Sequence, residues 1–146
     1  MTVSVHKRRI VFFAVSVLVL VLIVFLFKAK YSENNITING KIFATEVMDN
    51  DSLRQKGLSE RSNMPDNNAM LFKFESIGER CFWMKDMKFA IDIIWLNNEG
   101  SISAIETNVQ PDTYPKKYCH SGRSVLEFTA GQVEVNGLKI GGKLKL

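Results

Sequence analysis

The chain has 146 residues, enough for one domain of ordinary size, and a formal net charge of +4. Five of its 19 basic residues lie before position 31, around an uncharged run, and the remaining 14 stand against 15 acidic residues. The rest of the chain is therefore close to neutral and has no basic stripe with interleaved aromatics, which excludes a nucleic-acid interface as the source of the charge.

The uncharged run over residues 10–27 predicts a transmembrane helix. It is 18 residues long with Ser16 as its only polar residue, and as a helix it would span about 27 Å, close to the thickness of a bilayer's hydrocarbon core. A cleaved secretory signal is the alternative, but such a signal has an apolar core of about 7–15 residues followed by small residues. The sequence KAKYSE that follows has no such cut site.

The charges around this run predict its orientation. Three basic residues precede it at positions 7–9, and two follow it at positions 28 and 30, so the amino terminus is expected in the cytoplasm. The sequence predicts a single-pass membrane protein with its folded domain outside the cytoplasm. Its expected parts are a cytoplasmic flank (1–9), a lipid-contacting helix (10–27), a tether (28–35) and an extracytoplasmic domain (36–146).

The outer domain has the turn signals of a β protein with one short helix. Asn39-Gly40 lies between two β-prone runs and predicts a two-residue hairpin. Residues 49–61 begin with Asn and Asp and predict the helix, and residues 70–74 predict a short strand. Further turns are predicted at 97–100, at Asn136-Gly137 between the strand-like QVEV and LKI, and at Gly141-Gly142. The expected fold is mainly β (α+β), a small barrel or sandwich with one short helix.

Several of these segments resemble one known family. The pieces RQKGLSER, AMLFKF, FWMKDMKFAIDIIWLNNEGSISAI, VLEFTAG and LKIGGKL are similar to those of domain of unknown function family 192 (DUF192). The chain departs from that pattern at Ser59, Ala69, Gly142 and the run DMKFAID, so it resembles a divergent, membrane-anchored member. The resemblance implies a β-rich fold and no reaction, because the family's role is unassigned.

Two charged residues stand near or within apolar runs and raise the question of a site. Asp92 lies in a strand whose two faces are both apolar, and Glu127 points away from the face shared by Leu126 and Phe128. An ionised side chain in such a place needs a partner. We expect one pocket that binds a ligand and is lined by Arg54, Trp83, Lys85, Asp92 and Glu127. The alternative is that Arg54 or Lys85 forms structural ion pairs with Asp92 or Glu127.

Other residues offer weaker chemistry. Cys81 and Cys119 are the only cysteines and could form a disulfide outside the cytoplasm. The segment YCHSGR contains His120, which a cysteine or serine hydrolase would have to use, yet it lacks the turn that exposes such a nucleophile. Asp92 and Glu127 could act as a carboxylate pair on a glycan. No metal-ligand spacing occurs, and no cofactor is expected.

The sequence therefore predicts a membrane-tethered, extracytoplasmic binding or interaction module without catalytic chemistry. Its ligand would be a small polar molecule, a glycan or an envelope protein, and not a nucleic acid. One alternative is a cell-envelope hydrolase that uses Asp92 and Glu127, or His120. A purely structural envelope protein is the other.

Overall fold

The computed structural model describes residues 35–146, together with Phe13, Val15 and Val17, which are helical. The chain divides into two compact units, residues 1–32 and residues 33–146. No helix within the described residues is long and apolar enough to cross a membrane. The predicted membrane helix (10–27), cytoplasmic flank (1–9) and tether (28–35) lie outside the described part, apart from those three residues and residue 35.

The described domain is mainly β, a half-barrel with two short helices. Its strands, in chain order, are β1 (Ile36–Ile38), β2 (Lys41–Met48), β3 (Asn68–Trp83), β4 (Ile91–Leu96), β5 (Ile102–Val109) and β6 (Lys117–Thr129). Helix α1 (Asp51–Lys56) follows β2, helix α2 (Gln132–Val135) follows β6, and a 3-10 turn covers Pro111–Thr113. All six strands form one sheet in the order β1-β2-β3-β6-β4-β5.

Two of the predicted turns are confirmed by strand pairing. Strands β1 and β2 pair antiparallel with Ile38 opposite Lys41, and the two intervening residues, Asn39 and Gly40, have φ of 49° and 81°. Both positive values are what a tight hairpin turn demands. Strands β4 and β5 also pair antiparallel on either side of residues 97–100.

Other predicted elements have different bounds. The helix predicted over 49–61 is only α1, because the Asn50 side chain caps its start and Gly57, with φ of 46°, ends it. The strand predicted over 70–74 extends from Asn68 to Trp83. The predicted strand QVEV is wrong, since these residues form helix α2.

The sheet is covered on both faces by apolar side chains. Met70, Ile93 and Trp95 belong to one core cluster, and Leu71, Ile94, Leu126 and Phe128 belong to the other. Every residue of β4 is buried, as predicted for a strand packed on two sides. The carboxyl-terminal segment bridges the two edges of the sheet, because Lys145 pairs with Thr37 of β1 and Lys143 pairs with Ser101 just before β5.

Candidate functional site

A groove of about 350 Å³ opens beside helix α1. Its walls come from α1, from the chain that leaves that helix and from the far half of β3. At Gly57 an added Cβ would lie 3.3 Å from Phe72 Cζ, so the chain passes close over the sheet at this point. The residues most relevant to ligand chemistry are Arg54, Phe74, Arg80, Trp83 and Glu127.

Glu127 lines this groove from the centre of the sheet. In β6 it lies opposite Met70 of β3 and Ile93 of β4, so its side chain projects onto the face of the first core cluster. Only 6% of Glu127 is exposed, and its Oε2 atom has no hydrogen-bond partner among the described residues. Buried polar atoms in folded proteins are almost always hydrogen-bonded, so an orphan of this kind requires an explanation.

The surroundings of Glu127 keep its carboxyl group largely protonated. Burial raises its pKa from 4.5 to about 8, and the positive charge of Arg61 acts in the opposite direction. Arg61 forms a bidentate ion pair with Glu46, at 2.6 and 2.7 Å. Near neutral pH Glu127 therefore presents an uncharged carboxyl group that can both donate and accept a hydrogen bond.

Aromatic rings and basic side chains lie next to each other in and beside the groove. The guanidinium groups of Arg54 and Arg80 lie over the Phe74 ring, 5.2 and 4.1 Å from its centroid. Trp83 is 46% exposed, and Lys117 lies 5.2 Å from its ring centroid. Several aromatic faces in this region are thus already in contact with protein cations.

Arg54 holds α1 against β3. Its Nη1 donates to the Lys73 carbonyl at 2.8 Å, and its Nη2 pairs with Asp51 at 2.6 Å. The prediction that Arg54 forms an ion pair with Asp92 or Glu127 is therefore wrong: Arg54 pairs with Asp51, Asp92 accepts from backbone N–H groups, and Glu127 Oε2 has no partner among the described residues.

Asp92 lies on the opposite face of the sheet from Glu127. It pairs in register with Phe128, whereas Glu127 pairs with Ile93, and adjacent strand residues point to opposite faces. Asp92 is fully buried, and its two oxygens accept hydrogen bonds from the backbone N–H groups of Asn108 and Val133, both at 2.9 Å. Backbone donors, not a cation, therefore satisfy this charge.

The predicted set of five residues is thus divided. Arg54, Trp83 and Glu127 line the groove, and Asp92 and Lys85 are not among its lining residues. The Lys85 side chain is exposed, and its carbonyl accepts a hydrogen bond from Ser59 Oγ. The expectation that all five share one pocket is wrong because Asp92 faces the other core cluster.

The two cysteines, whose pairing the sequence left open, are joined in a disulfide. Cys81 of β3 lies directly opposite Cys119 of β6. Cys81 also belongs to the wall of the groove, so the bond joins the two strands at the site. The Glu79 carboxylate lies within 4.8 Å of both sulfurs, but neither sulfur is a free thiolate that could bind a metal.

His120 lies away from the groove lining and is used elsewhere. Its Nε2 is 2.8 Å from Glu106 Oε1, and its ring packs edge-on against Trp95 with centroids 4.7 Å apart. Asp92 and Glu127, on opposite faces of the sheet, cannot act together on one glycosidic bond, and Cys119, a predicted nucleophile beside His120, is held in the disulfide.

Sequence reasoning missed Phe74 and Arg80 as residues of the groove. Phe74 was the predicted end of a short strand, whereas it lies in the middle of a long one. The signal that could have found them is the alternation of side chains, which continues past Ile77. It indicates a longer strand, and in that strand the Arg80 guanidinium lies over the Phe74 ring.

Together, the fold and groove define a small, mainly β domain with a mixed six-stranded sheet and a lateral groove above a buried carboxyl group. The model of family DUF192, described as an uncharacterized ACR, matches residues 34–146. The chain belongs to this family. No curated protein matches the sequence.

Two solved structures share the fold. One is a protein from Sinorhizobium meliloti 1021 whose description proposes a role as a transcription regulator; it is 25% identical, has a TM-score of 0.69 and is matched over 76% of this chain and 89% of its own. The other is a protein of unknown function from Novosphingobium aromaticivorans DSM 12444, 23% identical with a TM-score of 0.67, matched over 77% of this chain and 82% of its own.

Proposed function

We propose that this protein is a binding module without catalytic chemistry, and that the groove beside α1 is its ligand site. The observation that carries the proposal is the orphaned Glu127 Oε2 atom, which lines a groove while 94% of its residue is shielded from solvent. An unmet hydrogen bond at such a place costs about 1–3 kcal/mol. A ligand that supplied the missing hydrogen bond would recover that free energy on binding.

The shape of the groove supports the same function. A volume of about 350 Å³ lies within the range of small-molecule sites, about 300–1,000 Å³. The exposed ring of Trp83 offers apolar area and a polar N–H at the edge, a combination enriched at binding surfaces. Arg54 and Arg80 line the same groove.

Binding rather than catalysis is favoured because the candidate acid and base residues do not meet. Asp92 is on the other face of the sheet, and His120 pairs with Glu106 outside the groove lining. Of the predicted acid and base residues, only Glu127 lines the groove.

We further propose that the module is tethered to the outer face of a membrane by residues 10–27. The support is the length and apolarity of that run and the basic residues at positions 7–9. An alkaline carbonate wash of membranes from expressing cells should leave the full-length chain in the pellet. Release of a shortened, soluble species would contradict an uncleaved anchor.

The ligand site is testable through the two tryptophans of the chain. Trp83 is exposed at the groove, whereas Trp95 is fully buried with its Nε1 bound to the Arg80 carbonyl at 2.8 Å. We would titrate a fragment library into the full chain in nanodiscs and follow the two indole N–H signals by NMR. Binding fragments should shift the Trp83 signal more than the Trp95 signal.

Because Trp83→Ala removes its own reporter signal, binding to the variants is followed through the NMR signals of the fragments. The Trp83→Ala variant should lose these fragments, whereas Ile140→Ala, a change at an exposed apolar residue outside the groove lining, should keep them. Fragments that bind both variants equally, or a library that never shifts Trp83, would overturn the proposed site.

A further inference from the structure

We infer that the groove selects uncharged, hydroxyl-rich ligands, the chemical class of neutral sugars and glycans. This inference rests on the proposed function, since it specifies the ligand of the same groove. The supporting observation is that most charged groups around the groove already contact other protein groups.

A cationic ligand would find the aromatic rings of this region already occupied by cationic side chains of the protein. Cations bind favourably over aromatic rings, but Arg54 and Arg80 already lie over Phe74, and Lys117 lies over Trp83. Lys56 also lines the groove. A ligand ammonium group would therefore be repelled by like charges at the rings that would otherwise attract it.

An anionic ligand would meet guanidinium groups that already donate to protein acceptors, together with two carboxylates in the groove lining. Carboxylates bind arginine best through two parallel N–H donors, yet Arg54 uses both terminal nitrogens on Lys73 and Asp51. Arg80 donates from Nη2 to the Ser76 carbonyl at 2.7 Å. Asp51 and Glu79 also line the groove and oppose a further negative charge.

The groups that remain unmatched suit a hydroxyl. Among the described residues, Glu127 Oε2 and Arg80 Nε are both buried without a partner, and both residues line the groove. A protonated carboxyl group donates and accepts, as an alcohol does, while Arg80 Nε–H can donate to an oxygen. The exposed Trp83 ring adds a flat apolar surface against which a sugar ring can pack.

The test compares three trisaccharides of similar size and different charge. The neutral probe is tri-N-acetylchitotriose, the cationic probe is its fully deacetylated form, and the anionic probe is trigalacturonate. Each is titrated into the full chain in nanodiscs while the two tryptophan indole signals are recorded. We expect the neutral trimer to shift the Trp83 signal and to bind about tenfold more tightly than either charged trimer, a difference of about 1.4 kcal/mol.

Two substitutions at one position separate hydrogen bonding from packing. Glu127→Gln keeps an uncharged group that donates and accepts, so the affinity for the neutral trimer should stay within about threefold of the wild type, under about 1 kcal/mol. Glu127→Leu keeps a buried side chain of similar size but cannot form hydrogen bonds, so that affinity should fall about tenfold or more. Melting curves check that both variants are folded.

Failure of this inference is distinguishable from failure of the proposed function. If a charged trimer binds tightest and shifts Trp83, or if no trimer binds while other fragments shift Trp83, the ligand class is wrong but the groove is still the site. If Glu127→Leu binds the neutral trimer as the wild type does, the Glu127 contact is refuted. If neither trimers nor fragments ever shift Trp83, both proposals fall.

Discussion

Two acidic residues, Asp92 and Glu127, are buried on opposite faces of the sheet. Asp92 is fully buried and satisfied by two backbone N–H groups, whereas Glu127 is almost as deeply buried and keeps one oxygen without a partner. Asp92 joins the segments of Asn108 and Val133 to β4, whereas the proposed role of Glu127 is to bind a ligand.

Replacing Asp92 should destabilise the fold strongly. Asp92→Ala leaves the N–H groups of Asn108 and Val133 without their acceptor, and hydrogen bonds to a charged group contribute about 1.5–3 kcal/mol each. We expect a loss of about 3–6 kcal/mol and a melting temperature lower by more than about ten degrees. Asp112→Ala, at an exposed aspartate, is the control and should change little. Equal melting of the two variants would contradict the structural role of Asp92.

Glu127 should make the stability of the protein depend on pH in a defined direction. Its pKa is about 8 in the folded state against 4.5 as the ordinary value, so between these values the folded chain keeps a proton that the unfolded chain releases. The resulting stability is fully present below pH 4.5 and is lost as the pH rises towards 8, by up to about 1.4 kcal/mol per pH unit.

The variant Glu127→Gln has no such proton to lose. Its free energy of unfolding, measured by denaturant titration at several pH values, should therefore rise relative to that of the wild type between pH 5 and pH 8. The exposed Glu134 provides the control substitution Glu134→Gln. Parallel curves for wild type and Glu127→Gln would show that burial does not hold the carboxyl group neutral.

At the scale of elements, the disulfide between β3 and β6 stabilises the wall of the groove. It closes a loop of 38 residues, and the chain-entropy model gives about 4 kcal/mol for a loop of this length. The double variant Cys81→Ser, Cys119→Ser should unfold at lower denaturant concentration by about this free energy. A reducing agent should lower the stability of the wild type to the same level and leave the double variant unchanged. A wild type that is insensitive to reduction would contradict this contribution.

Some secondary-structure elements could be predicted from the sequence and others could not. The Asn39-Gly40 hairpin and the doubly covered strand β4 were predictable, because each depends on a local residue pattern. Helix α2 was not, because its residues alternate like those of a strand while its first turn is capped by Asp92, which lies 41 residues away from Val133 in the chain.

The candidate site was only partly predictable for the same reason. Glu127 could be found from the alternation of β6, since its neighbours face the other core. Asp92 was wrongly assigned to the ligand pocket, because its partners are backbone N–H groups that no sequence pattern marks. Arg80 was missed because its position depends on the long pairing of β3 with β6, which brings residues far apart in sequence together.

At the scale of the whole domain, the carboxyl-terminal segment closes the half-barrel at its edges. Gly100 makes this possible: an added Cβ would lie 2.7 Å from the Leu144 carbonyl oxygen, and its φ is 76°. Gly100→Ala should therefore displace the segment and lower the melting temperature.

Gly141→Ala is the matched control, because Gly141 has a similar φ of 85° but open space around its Cβ position. Both variants carry the cost of a positive φ, about 1 kcal/mol, so only the excess loss in Gly100→Ala measures closure. Equal losses would contradict the role of this contact.

The proposed tether and the proposed ligand site together describe a domain that would present a binding site at a membrane surface. The acidic and basic residues after position 31 nearly balance, so specific contacts in the groove would have to provide selectivity, in place of a general electrostatic attraction. This description depends on Glu127 being both buried and uncharged in the folded protein.

The most direct test of that central claim is a carbon-13 NMR titration of the Glu127 side-chain carboxyl group in the full chain. A buried carboxyl group held neutral should titrate with a midpoint near pH 8, far above the ordinary value of 4.5. A midpoint near 4.5 would mean that Glu127 is charged at neutral pH, and would contradict an uncharged hydrogen-bonding group in the groove.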